Sequence, residues 1–150
     1  MRKFEFPLER VLQLRSAQFD AENAKLQALY AERNALEQAV RELQASDRQI
    51  AAGIARSESV SGAELGSLAH FHQHVLGRIE RLEQRRKVCN ENIRGQLGKV
   101  VEVNRAKRLL ELLKEAGFEE WKYELNREIE AQAGELFLAR WARKKGQTAS

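Results

Sequence analysis

The chain has few of the residues that interrupt or crosslink a fold. Of 150 residues one is proline (Pro7), one is cysteine (Cys89), and aromatics make up 7%. A lone cysteine excludes an internal disulfide framework and fits a reducing compartment. With no proline after Pro7, no ring blocks helix formation downstream. Apolar runs are only a few residues long, so no membrane span is expected. Arg2, Lys3 and Glu5 put charge where a secretory signal would be apolar. Yet the hydrophobic set is 43% of the chain, too rich for a disordered sequence. The expectation is a soluble, mostly helical, elongated cytoplasmic protein.

Charged residues are 32% of the chain, 26 basic against 22 acidic, for a net +4. Their placement is blocky. Residues 1–60 balance at nine of each sign, 78–108 hold ten basic against four acidic, and 109–139 hold three basic against eight acidic. The stretch 140–150 adds Arg140, Arg143, Lys144 and Lys145 with no acid. Such blocks suggest charged partners. Acid is interleaved and aromatics are missing from the basic block, so no nucleic-acid partner is expected.

From about residue 7 to 57 the pattern predicts one helix, with Pro7 suited to a first helical position. Leu29, Leu36, Leu43 and Ile50 are seven apart, and Leu12, Phe19, Leu26, Val40 and Ile54 form a companion row. Two such rows make a coiled-coil seam, which Arg33 and Asp47 interrupt. At about 58–62 serines and a glycine mark a turn. Ser61 with Glu64 three residues on has the spacing of a capping box. A second helix is predicted from about 63 to 143, followed by a basic tail over 144–150. Its seam rows are Leu68, Val75, Leu82, Cys89, Val103 and Leu110, and Leu65, Ile79, Ile93 and Val100. His72, Arg86 and Gln96 are the polar entries in those rows. Near Gly117 the stripe shifts to Phe118, Trp121, Leu125, Ile129 and Leu136, which suggests a kink or a change of partner.

The predicted fold is all-α: a long antiparallel two-helix coiled-coil hairpin with an extended C-terminal helix, one domain over 1–150. At 1.5 Å per residue the arms would run ~75 Å and ~120 Å. Mirroring about residue 60 pairs position i with about 120 − i, so Leu8 lies near Leu112. Everything beyond is expected to lack an internal partner, leaving Phe118, Trp121, Leu125 and Ile129 as a partner-binding overhang.

No phosphate-binding loop, nucleophile elbow or zinc-protease signature occurs, so no catalytic residue and no cofactor is expected. His70, His72 and His74 alternate, and a helix would put only two of them on one face, short of a structural zinc site. No metal is expected. Cys89 in the seam reads as a small hydrophobe.

The run Phe4-Glu5-Phe6-Pro7-Leu8-Glu9-Arg10-Val11-Leu12-Gln13-Leu14-Arg15 resembles the opening of the FliJ family of flagellar export proteins. The layout downstream is similar too: a Ser/Gly break, a long second helix, the basic-leucine run Arg105–Glu115, an acidic stretch and a basic tail. Ala133-Gly134-Glu135 departs from the Leu-Asp-Glu that such proteins often carry. The resemblance implies a non-enzymatic cytoplasmic component of the flagellar type III export apparatus, associated peripherally with the inner membrane at the flagellar base. Its partners would be the hexameric export ATPase, the membrane protein of the export gate, and export chaperones. Family members are thought to meet the gate just past the turn, which points to Phe71, Val75, Arg78 and Leu82. By analogy with a rotary stalk, Arg10, Val11, Leu14, Arg15, Arg105 and Arg108 would meet the ATPase. A generic coiled-coil scaffold or chaperone is the alternative, and a nucleic-acid-binding helical arm the third reading.

Overall fold

A computed structural model of the chain describes residues 2–149. Two long helices, α1 (Glu9–Ala55) and α2 (Gly62–Thr148), pack against each other as an all-α hairpin. The seam rows account for the core. Leu12, Leu26, Leu36 and Val40 of α1 and Val75, Cys89 and Ile93 of α2 are the buried apolar residues, and each occupies a row position. The mirror about residue 60 holds as well. Leu29 meets Cys89, Glu22 meets Gln96, Asp47 meets His72, and Glu9 meets Lys114.

The ends differ from expectation. Pro7 and Leu8 form a turn rather than the first helical residues, and the Glu9 amide donates to the Phe6 carbonyl at 3.1 Å. Basic residues 144 and 145, expected in an irregular tail, lie inside α2, which continues to Thr148. There Thr148 Oγ1 donates to the Lys144 and Lys145 carbonyls, each at 3.1 Å. No break in α2 occurs at Gly117; the shift of the stripe there reflects a change of partner, described below. At the turn, the Glu64 amide donates to Ser61 Oγ at 3.1 Å, so Ser61 caps α2. No described residue has a positive φ, so the turn uses its serines for hydrogen bonding and needs no left-handed glycine.

The described residues form two units, both built from α1 and α2: residues 18–103, and residues 2–17 with 104–149. In the first, Leu26, Leu36, Cys89 and Ile93 make a cluster flanked by Leu29, Tyr30, Leu82 and Val100. Toward the turn the seam becomes shallow: Ile50 is 40% and Leu65 53% exposed, although both occupy row positions.

Candidate functional site

Within the unit 18–103 the polar seam entries find each other. Gln96 is buried, and its amide donates both to the Glu22 carbonyl at 2.8 Å and to the Glu22 carboxylate. That bond, helped by Lys25, holds the Glu22 carboxyl below its ordinary range. Cys89 donates its S–H to the Leu29 carbonyl at 3.3 Å, and burial pushes its thiol up. It is a seam residue and a poor nucleophile. His72 Nδ1 lies 2.8 Å from Asp47 Oδ2. Both residues are polar entries in facing rows, and the mirror rule alone brings them together. Arg86 reaches across to Glu37 at 3.7 Å and along its own helix to Glu83 at 2.8 Å. Among the described residues no group of three or more His, Cys, Asp or Glu could hold a metal ion.

The four residues assigned to a gate contact separate into two kinds. Val75 is 2% exposed, the most deeply buried side chain of the described chain, and Leu82 packs on the central cluster. Both are committed to the seam. Phe71 is half-buried, and Arg78 is exposed. The Phe71 ring lines two shallow open grooves, one with Ile50, Ile54 and Leu68, the other with His70 and His74.

In the other unit, Arg10, Val11, Leu14 and Arg15 of α1 and Arg105 and Arg108 of α2 are all exposed. Leu14 is 57% exposed, high for a leucine on a helix that also buries Leu12. Arg108 Nη1 lies 3.2 Å from Glu111 and 3.4 Å from Glu115, and the bond to Glu111 holds its guanidinium even more firmly protonated. Lys114 pairs with Glu9 at 2.8 Å.

The expectation that Phe118 and Trp121 lack an internal partner is overturned. Residues 2–6, ahead of the Pro7 turn, run back over them. The Phe4 ring stands edge-on to Phe118, with centroids 5.3 Å apart, and lies 6.1 Å from Trp121. Phe118 and Trp121 stack on each other at 5.7 Å, and Trp121 Nε1 donates to the Arg2 carbonyl at 3.1 Å. Gly117 lies under the Phe4 ring, and a Cβ there would stand 3.7 Å from it, an ordinary contact. The mirror rule extended past the helix start places residues 2–4 opposite residues 116–118, close to where they pack. Leu125 is half-buried; Ile129 is 45% exposed. From there to the end of α2 every residue described is exposed, including Leu136 (63%), Phe137 (69%), Leu138 (61%) and Trp141 (52%).

No protein-family model matches the chain, and no curated protein or solved structure matches it.

Proposed function

We propose that this protein is a non-enzymatic, cytoplasmic component of the flagellar type III export apparatus, a helical hairpin that binds the export ATPase ring and couples it to the export gate at the inner membrane. The observation that carries this reading is the run Phe4–Arg15 and its likeness to the FliJ opening. Its residues divide in a way that suits such a role. Phe4 covers Phe118 and Trp121, Leu12 is buried in the seam, and Glu9 pairs with Lys114. Arg10, Val11, Leu14 and Arg15 are left facing solvent. Half of the motif builds the fold, and the other half is offered outward. Export chaperones are further partners in this reading.

On the ATPase side the contact is basic: Arg10, Arg15, Arg105 and Arg108, with Val11 and Leu14 as apolar anchors. On the gate side Phe71 and Arg78 make the contact, and Val75 and Leu82 hold the helix that presents them. Co-purification tests the reading directly. Tagged protein is expected to retain the hexameric export ATPase at low salt and to release it as salt screens the arginines over ~10 Å. Failure to retain the ATPase at any salt would refute the reading.

A further inference from the structure

The last turns of α2 carry a feature that the hairpin does not use. Phe137 and Trp141 are four residues apart and so share a helix face, with Leu138 beside them, three before Trp141. These three are 69%, 52% and 61% exposed. Arg140 and Lys144 line one margin of this patch, and Lys145 ends it on the same face, its Nζ 4.4 Å from the Trp141 ring centroid. Arg143 lies on the far side. No acidic residue follows Glu135.

We propose that this patch binds the surface of an anionic lipid bilayer, the helix lying in the plane of the headgroups with Phe137, Leu138 and Trp141 inserted. Two features favour a lipid surface over a partner helix. The patch is short: over the two turns before it the same face holds Glu130 and Gly134, and over the two turns after it Lys144, Lys145 and Thr148. A coiled-coil seam needs apolar residues sustained over several heptads, whereas an interfacial helix needs only a shallow apolar face bordered by cations. The residue types also suit the boundary. Tryptophan is favoured at the headgroup level, and the lysines have stems long enough to lie along the apolar layer with their ammonium groups among phosphates. Charge complementarity identifies the lipid as anionic, because the three cations beside the patch, Arg140, Lys144 and Lys145, would gain little from a neutral surface. No helix among the described residues is long and apolar enough to cross a membrane, so the contact is peripheral. It is independent of the export reading, since it needs neither ATPase nor gate.

Vesicles test it on the full chain. Trp121→Phe leaves Trp141 as the only tryptophan. Vesicles of phosphatidylcholine with about 30% phosphatidylserine should shift its emission to the blue and sediment the protein, with affinity about tenfold weaker at high salt. Pure phosphatidylcholine should do neither. Phe137→Ser with Trp141→Ser, or Lys144→Glu with Lys145→Glu, should abolish sedimentation of the otherwise unaltered chain, circular dichroism remaining helical. No binding to the anionic vesicles at low salt overturns the proposal. So does equal binding to neutral vesicles, or binding that both double variants retain.

Discussion

The residue that says most about this fold is Gln96, a polar side chain in a seam position. It is tolerated because both of its amide hydrogens are used, on the Glu22 carbonyl and on the Glu22 carboxylate. Losing both of these bonds carries a cost, so Gln96→Ala should destabilise the protein by about 1–2 kcal/mol in urea unfolding. The same bond makes stability depend on pH. Glu22 holds its proton less tightly in the folded chain than in the unfolded one, so its contribution is fully present above the ordinary value of 4.5. It is lost as the pH falls through the lower, folded value. Urea midpoints should therefore drop on acidification below that value, and Glu22→Gln should remove part of the drop. At the centre of the seam, Leu26 is 4% exposed and belongs to the main cluster. Leu26→Ala should cost about 2–3 kcal/mol, toward the low end for such changes, because a two-helix seam can partly collapse around the gap.

At the scale of the helices, ends and edges are where sequence periodicity loses its hold. Heptad spacing located both helices, their facing rows and the Ser61 cap, because those follow from side-chain period and local hydrogen bonding. The mirror rule brought facing residues together within a few positions. Ile50 and Leu65, although in register, are largely exposed, since row position does not report how deep a seam is near its turn. Lys144 and Lys145 belong to α2 and not to a tail, because a helix of exposed residues needs no stripe to persist once long. Ser61→Ala should lower stability by about 1 kcal/mol, measured by urea unfolding. Phe4→Ala should uncover the aromatic pair, shift Trp121 emission to the red, and weaken protection of the Arg2–Glu9 amides against hydrogen exchange.

For the molecule as a whole, the candidate contacts lie on surfaces, not in a cavity, so their legibility is that of charge and exposure. The exposed part of the Phe4–Arg15 run could be told from its buried part only after the facing helix was in place, because Val11 and Leu12 are equally apolar and only one of them is buried. The seam periodicity that places Val75 in a row is also what buries it. On the proposed export role, Arg105→Glu with Arg108→Glu should lower the amount of export ATPase that co-purifies, with little change in folding, since exposed pairs such as Arg108 with Glu111 stabilise by under about 1 kcal/mol. On the same proposal, Phe71→Ala with Arg78→Glu should reduce binding to the cytoplasmic part of the gate, measured by pull-down, and leave co-purification of the ATPase intact.

The strand ahead of Pro7 has one more effect. Phe4 and the Arg2 carbonyl already occupy one side of the Phe118–Trp121 stack. Any ligand that wants that side must first peel the strand away, and its measured affinity is then reduced by the fraction of molecules in which the strand is lifted. Deleting residues 2–6 would make such a ligand bind more tightly while making the protein itself less stable.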